Sequence, residues 1–270
     1  MTSTARPVTG YPCLDRSRHG VLAIAHRGGA GHPDLVGLEN TRRAFRHAVE
    51  LGYRYLETDV HATADGVVVA FHDDRLDRVS DHSGPITELT AAQLGRVRVG
   101  SERGLPTMAE LLEEFPDCTF NIDLKASAAV APLAELLDVT GCHDRACVGS
   151  FSQARIDRFR RTTRGRVATA AAPAEVAAFR GLPSGRLARR LTRGRVAVLQ
   201  VPRRRGALEV VTPGLVRRAH AGGAQVHVWT VDRRTEIDEL LGLGVDGIIT
   251  DRTDVLKDVL ADRGLWEGGS

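Results

Sequence analysis

Eight short apolar, β-branched runs, alternating with stretches of helical spacing, leave few folds open to this chain. The runs are Val21–Ala25, Tyr53–Val60, Thr119–Leu124, Ala146–Ser150, Val167–Ala171, Val196–Val201, Gln225–Val231 and Gly247–Thr250. Helical spacing recurs at Thr41–Leu51, Met108–Phe115, Ala128–Val139, Gln153–Thr162, Pro213–Ala221, Arg234–Leu243 and Asp254–Ala261. Gly52, Gly141, Gly222 and Gly244 follow helical runs as stop signals. Such alternation over 270 residues predicts α/β class and a parallel (β/α)8 TIM-type barrel. A doubly wound open sheet is the competing arrangement. It is weakened because no Gly-rich dinucleotide or phosphate loop follows the first run.

One region interrupts the alternation. Asp65-Gly66 between two β-rich runs reads as a two-residue hairpin turn, with Val67–Phe71 as the return arm. Ala64 then faces Val67, Asp59 faces His72, and Glu57 faces Asp74. Residues from about 73 to 106 show no clear strand and read as an insertion after the second barrel strand, distorting the barrel. The expected organisation is an N-terminal extension over 1–20, a barrel domain over 21–262 and a C-terminal tail over 263–270.

Composition narrows the class further. No apolar run approaches the length needed to cross a bilayer, and the first twenty residues lack the apolar core of a secretory signal. The four cysteines, Cys13, Cys118, Cys142 and Cys147, have no metal-ligand spacing and read as reduced thiols of a cytoplasmic protein. The net charge of +3 conceals two opposed blocks. Residues 57–144 hold 17 acids against 6 basic residues, and residues 155–205 hold 15 arginines against two acids. The second block reads as solvated faces in an arginine-biased chain, since it lacks the interleaved aromatics of a single-strand binder. Neither a nucleic-acid partner nor a stable membrane anchor is expected. Only two lysines occur in the chain, Lys125 and Lys257.

The chemistry-bearing residues gather at strand ends. Glu57 and Asp59 share a strand face, as do Asp123 and Lys125. Strand C-termini carry the active site of a parallel barrel. Buried carboxylates are costly unless paired or metal-bound. Three of them with no nearby cysteine suit a hard cation, Mg2+ or Ca2+; pairing with arginines or capping of loops is the structural alternative. His26 ends the first strand, Arg27 beside it suits bidentate phosphate binding, and Gly28-Gly29 allow a sharp turn. His26 and His72 could then act as an acid–base pair around a phosphate held by a cation, Arg27 and Lys125.

The ordered set His26-Arg27-Gly28, Glu39-Asn40-Thr41, Glu57-Thr58-Asp59-Val60, Thr63-Ala64-Asp65-Gly66, His72-Asp73 with Leu76 and Arg78, Asn121-Ile122-Asp123-Leu124-Lys125, Gly149-Ser150-Phe151, Val228-Trp229-Thr230-Val231 and Gly244 through Asp251 resembles the glycerophosphodiester phosphodiesterases. The resemblance runs from about residue 21 to 260. It implies a distorted (β/α)8 barrel with a small insertion, and release of an alcohol and glycerol 3-phosphate from a small-molecule glycerophosphodiester. A cyclic phosphate formed by the glycerol hydroxyl is one route, which the sequence leaves open, like the oligomeric state. It also implies His26 and His72 as general acid and base, Glu57, Asp59 and Asp123 as ligands of one divalent cation, and Arg27 and Lys125 as phosphate contacts. Trp229 and Phe151 are expected to contact the substrate. Two positions depart from the family pattern: Asp123 stands where glutamate is usual, and Asp232 where asparagine often follows the Trp-Thr-Val run.

Glu39 is not explained by capping and is a candidate to reach the site. His61 and His32 read as peripheral polar residues, and His19, His47, His82, His143 and His220 as ordinary ones. A lysophospholipase D-like enzyme and a non-catalytic phosphate-binding module on the same fold are the alternative functions.

Overall fold

The computed structural model describes residues 6–15, 17 and 20–268; residues 1–5, 16, 18, 19, 269 and 270, including His19, lie outside the described residues. Eight parallel strands form the barrel: β1 (Leu22–Ala25), β2 (Tyr55–Ala62), β3 (Thr119–Leu124), β4 (Ala146–Gly149), β5 (Ala168–Thr169), β6 (Val198–Pro202), β7 (Gln225–Trp229) and β8 (Gly247–Thr250). Neighbours pair in chain order, and β1 also pairs with β8. The seam between β5 and β6 is closed by a parallel bridge from Ala170 to Val198, with Ala171 N–H donating to Val198 O at 2.8 Å. All eight expected strands are present, and the open-sheet alternative falls on this closure.

Among the described residues, nine helices of seven residues or more surround the strands: α1 (Arg42–Glu50), α2 (Met108–Glu114), α3 (Val130–Val139), α4 (Gln153–Thr162), α5 (Pro173–Gly181), α6 (Gly185–Leu191), α7 (Pro213–Ala221), α8 (Arg234–Leu243) and α9 (Thr253–Asp262). Helices α5 and α6 were not anticipated. Pro173 occupies the first turn of α5, where its missing N–H costs nothing, and the Ser184 side chain caps α6.

Strand residues divide by period two. Leu56, Val60, Phe120, Ile122 and Leu124 join the helix-facing core, while Leu22, Ile24, Cys147, Ala168, Val198 and Ile249 fill the barrel interior. Cys13 and Leu14 pack into that interior cluster, and the Arg6 guanidinium bonds Leu14 O and Gln225 Oε1. The described part of the N-terminal segment therefore closes the barrel floor. Trp266 of the C-terminal segment packs edge-on against Tyr53 at 5.0 Å. All four cysteines are buried, and Cys118, Cys142 and Cys147 are free thiols. Among the described residues, no helix is long and apolar enough to cross a membrane.

The hairpin after β2 departs from the expected register by one residue. Val60 pairs with Ala70, His61 with Val69 and Ala62 with Val68. Phe71, not His72, faces Asp59, its N–H donating to Asp59 O at 2.9 Å. The loop has three residues because Gly66 adopts φ +81° and Val67 N–H closes on the Thr63 hydroxyl at 2.9 Å. A left-handed glycine at the end of a three-residue loop adds one residue to the strand count. The insertion that follows has its own core of Phe71, Leu76, Ile86, Leu94, Val97, Val99 and Leu105. It also contains a small ladder, Arg98–Val99 against Glu102–Arg103, which the sequence had not suggested.

Candidate active site

The turn after β1 aims the first group of side chains. Arg27 lies in the left-handed region at φ 50°, uncommon for a non-glycine residue. Gly28 follows at φ +85°, where a Cβ would stand 2.7 Å from Ala44 Cβ of α1. Glycine is required there, and the close approach turns the Arg27 N–H onto Glu57 Oε2 at 3.0 Å. The His26 ring Nδ1 lies 2.8 Å from Asp251 Oδ1, and its Nε2 3.8 Å from Glu57 Oε2. A carboxylate only accepts, so Nδ1 carries the proton and Nε2 is the nitrogen turned to the site.

Adjacent strands bring the acids together. In the β2–β3 register Glu57 pairs with Asn121 and Asp59 with Asp123. Lys125 Nζ bridges Asp59 Oδ1 at 2.8 Å and Asp123 Oδ2 at 2.6 Å. Arg27 reaches Asp59 at 3.1 Å and Glu39 at 3.2 Å. Asn40 Nδ2 donates to Asp59 Oδ2 at 3.2 Å, and its own oxygen accepts from Thr58 Oγ1. Burial, then the neighbouring Asp59, push the Glu57 carboxyl up to about 7. Burial also opposes ionisation of Asp59, but the Lys125 ammonium and Arg27 guanidinium outweigh it and hold its pKa below the ordinary value. For His26 burial is likewise outweighed, by Glu57 and Asp251, and its pKa is raised.

His72 reaches the same rim despite the register shift. Its Nδ1 lies 2.5 Å from Asp73 Oδ1. Arg78 grips Asp73 and forks onto Glu39, with Nη2 to Glu39 Oε1 at 2.6 Å. The Arg78 hydrogen bond, against slight burial, holds Asp73 down at about 2. A chain of ion pairs thus runs from His72 through Asp73, Arg78 and Glu39 to Arg27. His61 is not peripheral: it is 3% exposed, and its Nε2–H donates to the His72 carbonyl at 3.2 Å.

A second group lies at the mouth. Phe151, after β4, is 66% exposed and meets Trp229, at the end of β7, edge-on at 5.8 Å. Beneath it Gln200 Nε2 donates to Asn121 Oδ1 at 2.7 Å.

Sequence reasoning missed Asp251, the acid that holds His26. A signal existed. In a closed barrel the first and last strands are neighbours, and Ala25 pairs with Thr250, so the residues just beyond them meet. Asp232, noted only as a departure, has a structural task. Its Oδ1 accepts from Thr250 Oγ1 at 3.0 Å and from Asp251 N–H at 2.8 Å.

The acids fit a hard divalent cation by donor chemistry and charge. Six carboxylates, Glu39, Glu57, Asp59, Asp73, Asp123 and Asp251, meet three permanent cations, Arg27, Arg78 and Lys125. The Lys125 ammonium stands where two of the carboxylates converge. Glu57, Asp59 and Asp123 are nevertheless not tightly closed. Among the described residues, the one group of three ligand side chains with atoms mutually within 4.8 Å is His32, Asp34 and His47.

A closed parallel barrel with imidazoles, carboxylates, a guanidinium and an ammonium at the C-terminal ends of its strands is the layout of a barrel enzyme. The glycerophosphoryl diester phosphodiesterase family matches residues 26–255. A Mycobacterium tuberculosis protein named "Probable glycerophosphodiester phosphodiesterase 2" is 41% identical over 263 residues, covering 96% of this chain and 98% of that protein. A Silicibacter pomeroyi structure bearing the same family name shares the fold at a TM-score of 0.78 and 24% identity, covering 94% of this chain and 99% of the other. An Oleispira antarctica phosphodiesterase, solved with the product sn-glycerol-3-phosphate, does so at 0.73 and 22% identity, covering 89% and 96%. The chain belongs to the glycerophosphoryl diester phosphodiesterase family. It is an enzyme of that class, a phosphoric diester hydrolase.

Proposed function

We propose that the enzyme is metal-dependent and cleaves glycerophosphodiesters to glycerol 3-phosphate and an alcohol, with His26 and His72 as the acid–base pair. The observation that carries this reading is the matched mounting of the two rings. Each has Nδ1 against a carboxylate, Asp251 for His26 and Asp73 for His72, on the rim that holds the buried acids. Such mounting fixes the tautomer and leaves Nε2 to exchange a proton with substrate. One ring takes the proton of the attacking hydroxyl and the other gives a proton to the leaving oxygen. Glu57, Asp59 and Asp123 would hold a divalent cation, whose chemistry when bound would be to neutralise the phosphate's equatorial charge. Lys125 and Arg27 donate to the phosphate oxygens. Trp229 and Phe151 form an apolar wall for the alcohol. Three free, buried thiols, Cys118, Cys142 and Cys147, support a cytoplasmic site of action.

Product analysis on a panel tests the reading. Glycerophosphocholine, glycerophosphoethanolamine, glycerophosphoglycerol and a lysophospholipid are each supplied with Ca2+, Mg2+, Mn2+ or excess chelator. Glycerol 3-phosphate should appear from the first three, cease in chelator and return with the cation. Turnover of the lysophospholipid alone, or full turnover in chelator, would overturn it.

A further inference from the structure

We propose that His32, Asp34 and His47 form a separate cation site, selective for a borderline transition-metal ion such as Zn2+. The three side chains come from two elements. His32 and Asp34 lie in the loop after the His26–Gly29 turn, and His47 lies in α1. One ligand atom from each falls within 4.8 Å of the others. The imidazole centroids are 4.4 Å apart, with the rings inclined at 56°.

His47 Nδ1 is buried with no hydrogen-bond partner among the described residues. A buried polar nitrogen left unpaired is costly, and ligation would satisfy it. His32 Nδ1 accepts the Asp34 N–H at 3.2 Å, long for such a bond and one that a cation at Nδ1 would displace. Asp34 Oδ2 lies 3.8 Å from His32 Nδ1, on a side chain 73% exposed and free to swing inward. Zinc takes ligands at about 2.0–2.2 Å, so modest side-chain rotations close the site. Two imidazoles and one carboxylate favour Zn2+, Co2+ or Ni2+ over Mg2+ or Ca2+, and three protein ligands leave a position for water.

The placement ties this site to the catalytic rim. Gly31 N–H of the same loop donates to the Asp251 carbonyl at 3.0 Å, and Asp251 holds His26.

The full-length chain, stripped with chelator and dialysed, is titrated with Zn2+ by calorimetry and with Co2+ by visible absorption. The expected result is uptake of Zn2+, with Co2+ ligand-field bands. Affinity should fall by about tenfold or more in His47→Gln and in His32→Gln and persist in Asp123→Asn. Turnover of His47→Gln with Mg2+ or Ca2+ should match the unaltered enzyme. Circular dichroism checks each fold, and His32→Gln, on a surface loop, carries the reading if His47→Gln misfolds. No uptake by the unaltered chain, uptake undiminished in both histidine variants, or loss in Asp123→Asn instead would overturn the proposal.

Discussion

Asp251 accepts a hydrogen bond from His26 Nδ1 at 2.8 Å while its own backbone N–H is held by Asp232 at 2.8 Å. The pair sets which His26 nitrogen faces substrate. Asp251→Asn keeps the shape but offers an amide that can present either N–H or C=O, so the ring tautomer is no longer fixed. The expected result is a fall in kcat of about 10–100-fold with KM nearly unchanged, and an altered pH profile. A fall confined to KM would mean that Asp251 serves binding instead. Asp232→Ala should move kcat in the same direction and by less.

His72→Ala should lower kcat by about 10²–10⁴-fold, the usual span of one proton-transfer group. The fold should survive, because the His72 side chain is 33% exposed and fills no core volume. Steady-state kinetics with a melting curve on the same preparation separate the two. Activity near that of the unaltered enzyme would remove His72 from the proposed mechanism.

These residues also mark where sequence was legible. Strand existence could be read because apolar β-branched runs bury on both faces. Glu57, Asp59, Asp123 and Lys125 could be placed on shared faces because strand side chains alternate. What escaped was anything set by three-dimensional adjacency or by one backbone angle. Asp251 meets His26 only because the barrel closes β8 onto β1. The hairpin register turned on the left-handed Gly66, at φ +81°. Arg78 joins His72 to Arg27 through Glu39, a contact across an insertion with no periodic signal.

Phe151 predicts a head-group effect without a chemical one. Its ring is mostly exposed and touches Trp229 by an edge, so it contributes little to folding. Phe151→Ala should raise KM for glycerophosphocholine by about 3–10-fold, as a lost contact of about 1 kcal/mol would, while kcat holds. The effect should be smaller for glycerophosphoglycerol, which has no cationic methyl groups to meet an aromatic face. Equal losses on both substrates would make Phe151 a spacer and not a selector.

His227 makes acid sensitivity a property of the barrel floor. Burial, then the nearby Arg6, push its pKa from 6.5 down to about 3. The unfolded chain takes up a proton below about 6.5 and the folded chain does not until about 3. Its contribution is therefore fully present above 6.5 and lost as pH falls toward 3. At pH 5 the loss is about 2 kcal/mol. Urea midpoints at pH 7.5 and pH 5 should differ less in His227→Gln than in the unaltered chain. Identical differences would show that other groups govern the acid limb.

The Arg160–Glu175 pair, between α4 and α5, gives a stability test remote from the rim. Arg160 forks onto Glu175 at 2.7 and 3.1 Å, with side chains only 6% and 10% exposed. Glu175 also accepts the Ala172 N–H at 2.9 Å, and Arg160 Nε donates to Thr169 of β5 at 2.8 Å. Removing one partner leaves a buried charge uncompensated. Glu175→Ala should cost about 3–5 kcal/mol, measured by urea unfolding. Replacing both with apolar residues of similar size, Arg160→Met with Glu175→Leu, should recover much of that loss, because two desolvated charges no longer need each other. If the double variant were as unstable as Glu175→Ala, the remaining bonds from Arg160 to β5 and from Glu175 to Ala172 would be what holds this side of the barrel, and not the ion pair.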